Sequence, residues 1–126
     1  MKRIIAAILA VVHGGNGLVM VFAPRRWWDR VPGVADTGPF NPHFVQDVGA
    51  AFLAAGLGLA ARAWRTACWP AAMAGAAFLT LHAVIHVGMI AAGMDRYPGT
   101  DLAIVVLPAV VSLYAAWPAR SPGRAS

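Results

Sequence analysis

Between Ile4 and Trp117 the chain returns four times to an apolar run of about twenty residues, the length that carries a helix across a bilayer core of about 30 Å. Backbone N–H and C=O groups find no water in that core, so a run of this kind must bond within itself as a helix. The runs cover residues 4–23, 43–61, 70–92 and 101–117. Composition agrees, since 60% of residues are hydrophobic and 12% charged, against roughly 45–50% and about 25% in soluble domains. Short connections between the last three runs imply an all-α, integral membrane, antiparallel four-helix bundle with up-down-up-down topology. One domain then covers residues 1–118, with a long external loop at 24–42 and a basic cytoplasmic tail at 119–126.

The punctuation supports these bounds. Asn41-Pro42 reads as a helix start, with Asn as the cap and Pro at the first helical position. Trp69-Pro70 opens the third run in the same way, and Thr100-Asp101 reads as the cap of the fourth, with a negative group at the positive dipole end. Pro24, Gly93 and Pro118 act as stops. Pro108 falls inside the fourth run and should kink it, freeing the carbonyl of Ile104. The start "MKRIIAAILAVV" has the layout of a signal peptide, but its apolar run continues to Ala23 and is read as a span.

Basic residues give the orientation. Lys2, Arg3, Arg62, Arg65, Arg120 and Arg124 fall on one side; Arg25, Arg26, Arg30 and Arg96 fall on the other with Asp29, Asp36 and Asp95. The excess favours both termini in the cytoplasm, as in a multi-pass protein of a bacterial inner membrane. Trp27, Trp28, Trp64, Trp69, Tyr97 and Trp117 all lie near run ends, where an interfacial aromatic belt belongs. The net charge of +5 is spread around apolar runs rather than along a basic stripe, which excludes nucleic acid as a partner. Cys68 is the single cysteine, so an internal disulfide and a CxxC site are also excluded. No glycine loop precedes a Lys-Thr or Lys-Ser pair, and Ser112 and Thr80 lack the setting of a covalent nucleophile.

Polar residues inside the runs are the functional candidates, because each ionisable group at the bilayer centre costs a few kcal/mol. His13 and Asn16 are three apart on the first run; His43 and Asp47, and His82 and His86, are each four apart on the second and third. Each pair shares a helix face. Counting from the run ends puts His13 and His82 roughly 15 Å deep, His86 about 9 Å, Asp47 about 6 to 8 Å, and His43 at the rim. These six residues are expected to form a polar column open to the external face, with Asp47 facing the bundle interior beside a histidine.

Three chemistries suit such a column, and the expected one is a redox-active metal or haem held by a small membrane redox protein or subunit. A metal ion (iron, copper or zinc) could take His82 and His86, with Asp47, His13 or His43 completing the set. A b-type haem could use His13 and His82 as axial ligands, with Asn16 beside it and the glycines of "HGGNG" making room. Asp47 and His86 could instead act as an acid–base pair, relaying protons for a quinone or another lipophilic substrate. The bland alternative is an accessory subunit whose histidines only lock helices together. The small residues Ala51, Ala55 and Gly58 offer a face for a homodimer.

The first run "RIIAAILAVVHGGNGLVMVFAP", the long first loop ending in "GPFNPHFVQDVGAAFL" and the four short spans resemble small four-helix bacterial membrane proteins of the DoxX-like kind. The resemblance is one of architecture across nearly the whole chain. It implies a membrane subunit of a larger redox or thiol-handling complex that delivers electrons to quinone. The chain departs from a thiol role, because Cys68 stands alone on the cytoplasmic side, and no catalytic residue carries over.

Overall fold

The computed structural model describes residues 1–118; the basic tail lies outside the described residues. It is all α-helical, with helix α1 at Lys2–Phe22, the short α2 at Pro24–Trp28, α3 at Pro42–Trp64, α4 at Trp69–Ala91, and a last long helix. That helix begins as α5, Pro98–Asp101, widens into a π turn over Leu102–Val106 and continues as α6, Leu107–Ala116. Four of these segments are long and apolar enough to cross a membrane: Lys2–Phe22, Pro42–Trp64, Thr66–Ala91 and Pro98–Ala116.

Local chemistry explains most boundaries. Asn41 Oδ1 accepts the Phe44 N–H at 3.2 Å, and Pro42 occupies the first turn, as expected for the start of α3. Gly93, at φ 69°, takes the left-handed conformation that closes α4. α3 runs past the expected end at residue 61 to Trp64, because Arg62 is buried within the helix rather than placed in a loop. The fourth long helix starts at Pro98, three residues before the expected cap. Asp95 Oδ1 takes the Tyr97 N–H at 2.7 Å, so Asp101 is released from capping and lies in the first helical turns. Pro108 does not break the helix. The turn before it loosens into π geometry, with the Leu107 N–H bonded to the Leu102 carbonyl, and absorbs the missing donor there.

Backbone contacts pair rising numbers on one helix with falling numbers on the next. A Cβ added at Gly17 would lie 2.6 Å from the Gly49 carbonyl oxygen, and one at Gly56 would lie 2.7 Å from the Gly14 nitrogen. α1 and α3 thus run in opposite directions with their backbones touching. α3 and α4 repeat the arrangement, Gly58 against Ala71 and Gly75 against Ala55. The Ala55 and Gly58 face, expected to serve a homodimer, is therefore consumed inside the bundle. The core is mostly alanine, with Ala6, Ala55, Ala72, Ala76, Ala109 and Ala115 around Leu9, Leu59 and Leu79.

Large apolar side chains point outward instead: Ile4, Val11, Leu57, Leu81, Ile85 and Val110 are each more than half exposed. Outward hydrophobics around an alanine core suit a hydrocarbon solvent and would aggregate in water. The long first loop packs over one end of the bundle. Trp28 is buried with Met20 and Val45, its ring 5.7 Å from Phe40 edge-on, and Arg96 bonds Asp36 at 3.4 Å to tie this loop to the last one.

The two kinds of glycine in "HGGNG" give opposite expectations. Gly17→Ala should cost about 1–3 kcal/mol by forcing α1 off α3, whereas Gly15→Ala, with nothing within 4 Å, should be neutral or slightly stabilising. Thermal unfolding in detergent distinguishes them, and equal midpoints would contradict the close helix contact.

Candidate functional site

The side chains that carry chemistry separate by helix face. On α4 the rings of Phe78, His82 and His86 succeed one another a turn apart, with centroids 5.9 Å apart for the first pair and 4.7 Å for the second. Phe52 of α3 lies against this ladder, 5.3 Å from Phe78 and 5.5 Å from His82, both edge-on. Its other side stacks on His13 of α1 at 5.9 Å. Phe52 therefore stands between the two deep histidines.

His86 Nδ1 is hydrogen-bonded to Asp101 Oδ2 across the α4–α5 contact. A carboxylate on Nδ1 leaves the second ring nitrogen, Nε2, free to face another group. Both side chains are partly enclosed, at 24% and 17% exposure, about one turn from the ends of α4 and α5 that the short 92–97 connection joins. Asp101, His86 and His82 thus form a contiguous chain running from the bundle mouth toward its middle. Sequence reasoning assigned Asp101 only a capping role. Pro98 at a first-turn position was the signal that could have moved the helix start and exposed this partner.

Deeper in the bundle His13 is 5% exposed, and its Nε2 lies 3.0 Å from Ser112 Oγ on α6. The pair crosses from α1 to α6 and satisfies both groups. Asn16 serves the loop: its Oδ1 accepts from Trp27 Nε1 at 2.9 Å, and its Nδ2 contacts Met20 Sδ at 3.3 Å.

Asp47 does not face the bundle interior. Its carboxylate is 2.8 Å from His43 Nδ1, and the two side chains are 69% and 84% exposed. The expected histidine neighbour is present, but it belongs to the same helix and the pair stands apart from His82 and His86. Val45 and Gly49 hold the buried face of α3, and a residue two positions from each points away from it. The single polar column expected from depth is instead three arrangements: the Asp101–His86–His82 chain, the His13–Ser112 bond, and the exposed His43–Asp47 pair.

This separation bears on how the expected ligands are arranged. Among the described residues, no three or more His, Cys, Asp or Glu side chains are grouped to hold a metal ion, so His13, His43, Asp47, His82 and His86 do not converge as one set. A haem between His13 and His82 would have to displace Phe52, which contacts both rings. Gly14 and Gly15 do not border that space through their Cβ directions, and Gly17 is filled by α3. On the outer surface of α4 and α6, on a different face of α4 from the ladder, runs an apolar groove lined by Ala83, Val84, Val87, Val106, Ala109 and Val110.

Ser112→Ala would leave a His13 ring nitrogen without its partner in a closed core. Interhelical hydrogen bonds in membranes average about 0.6 kcal/mol with a maximum near 1.7, so a loss of about 1 kcal/mol is expected. Ser112→Thr, which keeps the hydroxyl, should retain more of the midpoint in thermal unfolding; equal losses would point to packing volume rather than the hydrogen bond.

No family model matches the chain, and no curated protein or solved structure matches it.

Proposed function

We propose that the chain is a multi-pass protein of a bacterial inner membrane, with both termini cytoplasmic, and that it relays protons at a lipophilic substrate of the quinone class. The observation that carries the relay is the His86–Asp101 hydrogen bond, with the His82 ring edge-on to His86 one turn further in. Asp101 orients His86 through the hydrogen bond at Nδ1, as a carboxylate does for a catalytic imidazole. His86 Nε2 takes or gives the proton, and His82 extends the path toward the middle of the bundle. An apolar groove on another face of α4, against α6, would suit a lipophilic molecule better than a polar one. The DoxX-like architecture points the same way, toward a membrane subunit that works with a quinone pool in a larger complex.

A second reading rests on the same hydrogen bond. A histidine whose Nδ1 is held by a carboxylate presents Nε2 in the manner of a metal-ligating imidazole, and His82 could supply a second ligand. Iron, copper or zinc would then bind through two imidazoles, with other positions left to water or substrate. Elemental analysis of protein purified from native membranes separates the readings: a stoichiometric metal lost in His86→Gln supports the second one.

For the relay, decylubiquinone binding to protein in lipid nanodiscs, monitored by tryptophan quenching, should vary with pH. His86→Gln should abolish that dependence and Asp101→Asn should weaken it, while Asp47→Asn leaves it intact. An unchanged profile in His86→Gln would overturn the relay. The orientation has its own reporter in Cys68, which lies at the end of the bundle holding the N-terminus. A membrane-impermeant maleimide should label Cys68 in inverted vesicles and not in intact cells.

A further inference from the structure

The two ends of the bundle carry different charge inventories, one mixing arginines with carboxylates and the other only basic among the described residues. All five acidic residues, Asp29, Asp36, Asp47, Asp95 and Asp101, lie in or next to the loops at one end. The other end gathers Lys2, Arg3, Arg62 and Arg65 with no carboxylate among the described residues. Two of these cations are already used by the fold. Arg3 donates to the Ala63 and Trp64 carbonyls at 2.8 Å each, and Lys2 Nζ donates to the Trp117 carbonyl at 3.0 Å, so they close the C-terminal ends of α3 and α6.

Arg62 is not satisfied in this way. It is 2% exposed, its NH1 group donates to the Thr66 carbonyl at 3.0 Å, and its Nε is buried without a partner among the described residues. A guanidinium stays charged at any physiological pH, and a buried charge normally has an anion beside it. The nearby start of α4 adds demand of the same sign, because Cys68 offers no side-chain cap to its first N–H groups. Arg65, next to Thr66, is exposed and without a carboxylate at this end. Trp64, Trp69 and Trp117 around it are 80%, 39% and 58% exposed, as residues lying at the level of lipid headgroups would be.

We propose that this end of the bundle holds the phosphate of an anionic phospholipid, with Arg62 as the inner donor and Arg65 as the outer one. The proposal rests on the membrane reading above. A phosphate oxygen supplies the acceptor that the protein does not, and the anionic cytoplasmic leaflet supplies it at the end where the basic residues collect. Arg62 is the anchor because its side chain is fixed by burial, whereas Arg65 is free to adjust to the headgroup.

The test is thermal unfolding of the full chain in detergent with added phosphatidylglycerol, phosphatidylcholine of the same acyl chains, or inorganic phosphate. Phosphatidylglycerol should raise the midpoint by about 4 °C more than phosphatidylcholine does, and inorganic phosphate should not reproduce the gain. Arg62→Lys keeps the charge but loses the planar fork, and should lose at least half of the difference; Arg26→Gln, at the other end, should keep it. If Arg62→Lys does not fold, Arg65→Gln, altered only at an exposed position, should show a partial loss. Equal stabilisation by the two lipids, an equal effect of free phosphate, or full retention in the Arg62 or Arg65 variant overturns the site. Failure of the chain to partition into phosphatidylcholine vesicles would instead count against the membrane reading itself.

Discussion

The contact on which the rest of this structure depends is the meeting of two backbones, α1 and α3, along Gly17, Gly49 and Gly56. A hydrocarbon solvent does not drive apolar side chains together, so helices gain most by bringing main chains into van der Waals range. Glycine at these positions permits it, and any Cβ there would fall 2.6 to 2.7 Å from backbone or Cβ atoms of the other helix. With α1 and α3 joined so closely, the side chains between them are committed. Phe52 is turned toward α4, and its ring becomes a partition between His13 on one side and His82 on the other. The same contact therefore divides its histidines into His13, bonded to Ser112, and the His82–His86 pair on α4.

Helix number, approximate bounds and all-α class were legible because apolar length is a strong signal and Pro, Asn and Gly punctuate the runs. The site was legible only in part. His82 and His86 were recognised as neighbours from spacing alone, since residues four apart on a helix must share a face. Spacing does not say which face, and that is why Asp47 was misplaced. Its orientation is set by Gly49 and Val45, whose burial turns positions 43 and 47 outward. Asp101 was missed for a different reason: Thr100-Asp101 has the chemistry of a cap, but Asp95 already holds the Tyr97 N–H and the helix begins earlier. Depth counting placed the polar residues at sensible levels, yet a shared level does not make a contact when an aromatic ring lies between.

Charge is distributed with equal consequence. Lys2 and Arg3 reach across from α1 to the carbonyl ends of α6 and α3, so basic residues at this end close helix termini. The carboxylates stand at the opposite end, where Asp29 pairs with Arg25, Asp36 with Arg96 and Asp101 with His86. Exposed pairs such as the first two contribute little stability in water. Asp101 is different because it is partly enclosed, so its charge acts on the imidazole with less solvent screening.

The π turn at Leu102–Val106 explains how one helix serves both polar groups. Asp101 and Ser112 are eleven residues apart, which in an unbroken α-helix is about three turns plus 20°, placing both on the same face. Yet Asp101 meets His86 on α4 and Ser112 meets His13 on α1. A π turn acts as one residue inserted into the helix, rotating the segment before it by about 100° relative to the segment after it. That rotation lets the early part of the helix address α4 while the later part addresses α1. Pro108 fixes where the extra residue falls, because the helix must give up a hydrogen bond there in any case. The proline that at first looks like an interruption thus marks the joint between the bundle's lock and its mouth.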